Sequence, residues 1–289
     1  MDRLGETLEA AAAARRQVAV RETVCKTLLN RSGISDYSLN CYTGCAHACA
    51  YCYARSMQGF HPHAESWGEF VDVKGNAVEV LKRQLRRAEP GDVFVSSACD
   101  AWQPVEARYG LTRRCCELLL ERGFQVNVLT KSALVLRDLE VFAGRTAQIG
   151  TTITTLDERL ARLWEPGAGT IDQRFQVIEE ARRWGLPTSV MFGPLLPWLS
   201  DDEASIEAMF RRAKTLGINR IWVDGLNPRP RVWPAVATLL RRHFPELREP
   251  YRRVLFDKTA RNRYLVELGT RVRAAAERVG VADRVGACF

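Results

Sequence analysis

Short apolar runs rich in β-branched residues alternate along this chain with longer runs whose apolar positions recur at helical spacing. The short runs predict strands at residues 93–97, 126–130, 148–154, 188–192 and 220–224, with a first strand at 69–74 or in the stretch before Cys45. The longer runs predict helices at 77–87, 112–122, 134–143, 172–184 and 202–216. Gly123, Gly185 and Gly217 follow three of these helices and supply natural stops. Strand followed by helix, repeated, argues for an α/β fold of parallel strands joined by crossover helices. Three parts are predicted: a helix and linker over 1–33, the βα region over 34–227, and a mainly helical extension over 228–289 broken at Pro245 and Pro250.

The 289 residues suffice for one large core. The longest apolar runs, such as 126–129 and 190–192, are far short of the roughly 20 residues a spanning helix needs. No membrane segment is predicted. Nine cysteines without a regular framework, behind a first 20 residues rich in Ala, Arg and Glu, place the expectation in the reducing cytoplasm. A monomer is expected.

The net charge of +8 is carried almost entirely by arginine, which grips phosphate in bidentate geometry. DNA is therefore a candidate partner. The competing reading is a solvated arginine surface, since pairs such as Arg86-Arg87, Arg182-Arg183 and Arg211-Arg212 fall on predicted helices.

One short segment carries more chemistry than the rest. Cys45, Cys49 and Cys52 stand at CxxxCxxC spacing with Tyr51 just before the last. Three thiolates on one loop reach three irons of a cubane cluster and leave the fourth iron without a protein ligand. A closed zinc site takes four ligands, usually from two separated pairs, and no second pair follows here. His47 and Cys41 are the alternatives for a fourth ligand; His47 otherwise tunes the cluster or faces solvent. His61 and His63 are expected on a surface loop and form no metal set with the others.

This cysteine loop resembles that of radical S-adenosylmethionine (radical SAM) enzymes. The resemblance implies a [4Fe-4S] cluster on Cys45, Cys49 and Cys52, SAM chelated at the open iron, and one-electron cleavage to a 5'-deoxyadenosyl radical that abstracts hydrogen from a substrate. It also implies a partial (β/α)6 barrel, and an electron donor such as flavodoxin or ferredoxin. Chemistry in barrels gathers at the C-terminal strand ends.

The segments 96–106, 129–132, 137–138, 165–167 and 193–197, with Arg174, are similar to the spore photoproduct lyase-like branch. That similarity implies Tyr51 against the adenine of SAM, Lys131 on its carboxylate, and Ser97, Asp100 and Thr152 on its amine or ribose. Glu165 and Arg174 are expected either to pair or to reach the cofactor. The branch uses a cysteine as hydrogen-atom donor at a comparable strand end; Cys99 is the candidate, and in the alternative register Ser97 takes that place and Cys99 contacts the cofactor. The implied activity is lyase-like DNA repair on a pyrimidine lesion, with Trp102, Trp164, Trp198 and Trp222 available to hold an extruded base. The alternatives are the same chemistry on a small molecule or peptide, and a non-catalytic iron-sulfur protein that relays electrons or binds nucleic acid.

Overall fold

A computed structural model describes residues 18–59 and 63–289. The strands are β1 (Ala19–Thr23), β2 (Leu29–Arg31), β3 (Tyr37–Leu39), β4 (Tyr42–Thr43), β5 (Phe70–Lys74), β6 (Asp92–Val95), β7 (Gln125–Thr130), β8 (Ala147–Ile153), β9 (Thr188–Leu195), β10 (Arg220–Gly225) and β11 (Val285–Ala287). The main sheet has the order β11-β10-β9-β8-β7-β6-β3-β2. From β3 through β10 every neighbouring pair is parallel, which makes six barrel strands. An antiparallel β2 and a parallel β11 extend the two edges.

The helices are α1 (Ala77–Gln84), α2 (Glu106–Tyr109), α3 (Leu111–Glu121), α4 (Leu139–Phe142), α5 (Glu158–Trp164), α6 (Ile171–Arg183), α7 (Glu203–Thr215), α8 (Val232–His243), α9 (Arg248–Phe256) and α10 (Lys258–Val279). Their starts follow local chemistry. Thr170 and Gln173 form a reciprocal capping box at α6, and Asp157, Asp202 and Asp257 accept backbone N–H groups at α5, α7 and α10. Gly123, Gly185 and Gly217 all adopt positive φ behind their helices, as the sequence pattern predicts.

Alternation along the strands separates two faces. On β7, Val126 and Val128 are buried in the layer between sheet and helices, so Asn127, Leu129 and the following Lys131 point the other way, into the barrel. Ile221 and Val223 of β10 likewise pack with Phe210 of α7 and Leu268 and Val272 of α10, leaving Arg220, Trp222 and Asp224 on the inner face. A third apolar group holds Tyr51, Trp164, Leu196, Leu226 and Tyr251, and closes the cysteine loop against the C-terminal helices.

The structure departs from the sequence reading in several places. Both candidates for the first strand form, but only β3, before Cys45, belongs to the barrel. β5 pairs with β1 and β4 in a separate three-stranded sheet, because β3 and β7 already fill both edges of β6. Of the segment 1–33, expected as a helix and linker, residues 1–17 lie outside the described residues and the remainder contributes the strands β1 and β2. The helix expected over 134–143 is a 3-10 turn (Ala133–Asp138) followed by the short α4. Asp138 breaks it by turning inward to accept Trp102 Nε1 at 2.9 Å.

Candidate active site

The cysteine loop leaves β4 through Gly44, whose φ is 81°. A Cβ there would stand 2.4 Å from the Phe70 carbonyl oxygen, so both the backbone and the close approach of β5 require glycine. Beyond it the chain winds in successive turns: Ala48 N–H donates to Cys45 O at 3.2 Å and Cys52 N–H to Cys49 O at 3.3 Å. These turns bring three residues separated by CxxxCxxC spacing into one neighbourhood.

Other elements clamp the loop. Gln103, fully buried past the end of β6, accepts Ala46 N–H at 2.9 Å and donates to Gly44 O at 3.1 Å. Ala50 N–H donates to Trp164 O at 2.8 Å, and Gly167 N–H to His47 O at 3.0 Å. The Arg55 guanidinium donates to Cys49 O through two of its nitrogens. Gln103 and Gly167 stand out in the sequence only as members of the segments similar to the spore photoproduct lyase-like branch, and no local signal marks them as loop clamps.

All three thiols are free, with Cys45 and Cys49 buried. Burial pushes Cys49 up to about 12, against the pull of Lys131, and pushes Cys45 well above the usual thiol range. Negative charge on Cys49 or Cys52 raises Cys45 further, so the three sulfurs lie within electrostatic reach of one another. Such a donor set fits iron, whose charge offsets that of the thiolates. Among the described residues no three His, Cys, Asp or Glu side chains are gathered tightly enough for a single ion. Ligands that share one ion crowd more closely than thiolates that each take a separate iron of a cubane.

Lys131 follows β7 directly and holds its Nζ 5.7 Å from the Tyr51 ring centroid. Among the described residues the ammonium makes no hydrogen bond and no ion pair. Burial works against its charge, but Cys49 and Glu165 more than compensate, so its pKa is raised. An unpaired, half-buried cation beside the cysteine loop suits an anionic group such as the carboxylate of SAM.

Tyr51 sits in a buried polar knot. Its hydroxyl donates to Glu165 Oε1 and lies 3.1 Å from Thr154 Oγ1, and its ring stacks on Trp164 with centroids 6.5 Å apart. Glu165 pairs with Arg174 Nη1 at 2.5 Å; Arg174 also donates to Thr152 O at 3.0 Å and Gly169 O at 2.9 Å. Burial raises the Glu165 carboxyl, but Arg174 and Lys131 outweigh it and hold it below the usual range. Of the two roles open for Glu165 and Arg174, the structure shows the pair. Thr152 is buried on β8, with its carbonyl in this knot.

Asp100 is turned inward. Its Oδ1 accepts Trp102 N–H at 2.9 Å and Thr130 Oγ1–H at 2.7 Å, and its Oδ2 accepts Lys131 N–H at 2.7 Å. Its carboxylate ties strand ends together instead of standing free for the amine or ribose of SAM. The Ser97 hydroxyl accepts Asn40 Nδ2–H at 3.1 Å, while Tyr53 donates to Ser97 O. Cys99 packs with Cys52 against Cys45, Trp67 and Phe70; its Sγ lies 3.4 Å from Ser96 Oγ and 3.6 Å from Tyr42 O. Burial pushes its thiol up to about 12.

Further residues fall elsewhere than expected. His47 is 3% exposed and faces Asp100, not solvent. His63 stacks on Phe70 and pairs with Asp72 at 3.1 Å, so it is not a loop-surface residue; His61 lies outside the described residues. Glu106 accepts Thr112 N–H and Arg113 N–H, each at 3.1 Å, and so caps α3. Trp102 and Trp164 are fully buried and cannot receive a base, whereas Trp198 and Trp222 are exposed.

Residues 39–211 match the model of the radical SAM superfamily, which is more than half of the chain and includes the whole cysteine loop. The chain belongs to the radical SAM superfamily. It is 31% identical over 254 residues to uncharacterized protein Rv2578c of Mycobacterium tuberculosis (strain ATCC 25618 / H37Rv), covering 82% of this chain and 74% of the relative. It is 24% identical over 208 residues to the Radical SAM Nalpha-GlyT isomerase of Pseudomonas phage M6, covering 69% of this chain and 41% of that protein. Among solved radical SAM structures, a spore photoproduct lyase variant with bound AdoMet and dinucleoside spore photoproduct aligns with a TM-score of 0.67 at 14% identity. That alignment covers 100% of this chain and 85% of the other. This likeness carries the α/β partial-barrel fold. No helix of the described residues is long and apolar enough to cross a membrane.

Proposed function

We propose that this radical SAM protein holds a [4Fe-4S] cluster on Cys45, Cys49 and Cys52, cleaves SAM reductively, and abstracts hydrogen from a pyrimidine nucleotide of DNA. The observation that carries the chemistry is the gathering of three free thiols on one clamped loop beside the unpaired ammonium of Lys131. When bound, the reduced cluster supplies the single electron that splits the sulfonium of SAM and leaves a 5'-deoxyadenosyl radical.

The protein's own residues then have separate tasks. Lys131 fixes the carboxylate of SAM, and the Glu165–Arg174 pair holds Tyr51 in place beside it. Cys99, with its pKa raised to about 12, keeps its hydrogen at neutral pH, as a hydrogen-atom donor must. A cytoplasmic flavodoxin or ferredoxin is the class of reductant this chemistry needs.

Two facts support a DNA substrate: the arginine-dominated charge of +8 and the fold shared with spore photoproduct lyase, solved with a dinucleoside spore photoproduct. A lyase-like repair reaction is the outcome this favours.

The test is anaerobic. The cluster is reconstituted and reduced, SAM is added, and 5'-deoxyadenosine is measured for wild type and Cys49→Ala, with and without lesion-containing DNA. Product from wild type alone supports the radical chemistry, and stimulation by the lesion supports the substrate. No product from an intact, reduced cluster sinks the enzymatic reading and leaves an electron-relay protein.

A further inference from the structure

Trp198 combines features that packing alone does not require. It follows β9, at the end of the barrel where strands present their C-termini, and it is 51% exposed. Its φ is 59°, a left-handed conformation that bulky side chains rarely adopt. The backbone is held there by a buried carboxylate: Asp201 Oδ1 accepts Trp198 N–H at 2.7 Å, while Asp201 Oδ2 accepts Tyr264 OH at 2.9 Å and faces Arg271 Nη2 at 3.0 Å. Ser200 Oγ accepts Leu196 N–H at 3.0 Å and tightens the same loop. Strain kept in place by a buried network is a mark of functional segments.

The network fixes an indole at the surface. Trp198 rests on Tyr251 and Tyr264, with ring centroids 5.8 and 6.4 Å away. Tyr251 stacks on Trp164 at 6.1 Å and Trp164 on Tyr51 at 6.5 Å, so an unbroken run of rings connects this surface to the cysteine loop. The outer face of Trp198 remains open.

A cation stands nearby. Arg261 lies three residues before Tyr264 on α10, hence on the same helix face as the ring beneath Trp198. Its Nη1 donates to Leu226 O at 3.2 Å, just beyond β10. Among the described residues it makes no direct ion pair, although the Asp224 carboxylate favours its charge from a distance, and its remaining guanidinium N–H groups are left for a ligand.

We propose that Trp198 and Arg261 form a nucleotide platform, on which an extruded or single-stranded base stacks on the indole while the guanidinium holds an adjoining phosphate. This inference rests on the nucleic-acid reading of the substrate and names the surface that would receive it. The chemistry is matched on both sides: every base has a π-face for the indole, and arginine is the side chain suited to bidentate phosphate contacts. The overall charge of +8 favours the same partner.

The test uses the full chain with its cluster reconstituted, and a short fluorescently labelled oligothymidylate as probe. Trp198→Leu, which keeps apolar cover but removes the π-face, is expected to weaken binding about 5- to 100-fold at fixed salt, and Trp198→Phe less. Arg261→Gln is expected to reduce the slope of log affinity against log salt by about one. Variants are compared only at wild-type iron content and thermal midpoint. Wild-type affinity in a folded Trp198→Leu protein overturns the proposal.

A measurement on the wild type keeps the test independent of folding. Oxidative labelling of Trp198, read by mass spectrometry, should fall when the oligonucleotide is bound. Unchanged labelling under saturating probe overturns the proposal, as does protection by an unstructured acidic peptide but not by the oligonucleotide. SAM cleavage is read separately as 5'-deoxyadenosine. A wild type that cleaves SAM without protecting Trp198 loses the platform and keeps the chemistry; protection without cleavage does the reverse.

Discussion

His47 Nδ1 lies 3.4 Å from Asp100 Oδ2, the same oxygen that accepts the Lys131 backbone N–H at 2.7 Å. One buried carboxylate therefore joins a residue between two of the cysteines to the residue that carries the free ammonium. Everything that reaches Asp100 is a donor, and together these donors hold its carboxyl far below the usual range despite burial. In Asp100→Asn an amide NH2 must face at least one of them. We expect a loss of about 1–3 kcal/mol in unfolding free energy. Urea unfolding of the cluster-free protein checks it, and an unchanged midpoint would show that the junction is slack.

Lys131 offers a cleaner separation of cluster from cofactor. Lys131→Met keeps the stem over Tyr51 and removes only the charge. Iron content should stay at the wild-type level, while SAM binding weakens about 10- to 150-fold, the worth of one charge-assisted contact. Anaerobic equilibrium dialysis with SAM reads this directly. Equal affinity in the two proteins would assign the carboxylate to another group.

The buried pair Glu165–Arg174 should behave unlike a surface ion pair. Arg174→Met strands a carboxylate and two carbonyls, Gly169 O and Thr152 O, and is expected to cost about 3–5 kcal/mol. The double change Glu165→Met with Arg174→Met should cost less than the sum of the single ones, because no charge is then left buried alone. Strict additivity in chemical denaturation would mean that the two side chains do not act as a unit.

The barrel was readable because its inner strands are short, apolar and punctuated by Gly123, Gly185 and Gly217, all local signals. The cysteine loop was readable because its ligands are consecutive in sequence. What escaped depends on contacts between distant segments. Sequence marks β5 as a strand but not the sheet it joins, since edge vacancies on β6 are a property of the assembled barrel. Asp100 and Glu106 both look like strand-end polar residues of an active site, yet one is consumed by β7 backbone and the other by the start of α3. Trp102 and Trp198 are indistinguishable by type, and only burial separates a core ring from an exposed one.

Stability should depend on pH through Asp138. Burial raises this carboxyl, but hydrogen bonds from Arg137, Trp102 and Arg113 outweigh it, so the folded value is depressed. A depressed carboxylate stabilises the fold above its unfolded pKa of about 3.9, and that contribution is lost as pH falls through the lower folded value. The stability gap between wild type and Asp138→Asn should therefore be constant above about pH 5 and shrink below about pH 4. Urea unfolding across that range measures the gap, and a gap that widens toward acid would reverse the sign argued here.

Gly167 tests whether the clamp on the cysteine loop governs cluster loading. A Cβ at this position would stand 2.3 Å from Ala46 O and 2.9 Å from His47 Cα, both main-chain atoms of the loop. Backbone cannot swing aside as a long side chain does, so Gly167→Ala must push the segment between Cys45 and Cys49 outward. Gly123 provides the control: its φ is 77°, and a Cβ there meets no atom within 4 Å. Gly123→Ala should cost about 1 kcal/mol through backbone strain and leave the loop untouched. After anaerobic reconstitution Gly167→Ala is expected to retain well under half the iron of wild type with an unchanged far-ultraviolet circular dichroism spectrum, whereas Gly123→Ala loads fully. Full loading of Gly167→Ala would mean that the cysteines find their positions without the Gly167 contact, and that Gln103 and the Trp164 carbonyl suffice to hold the loop.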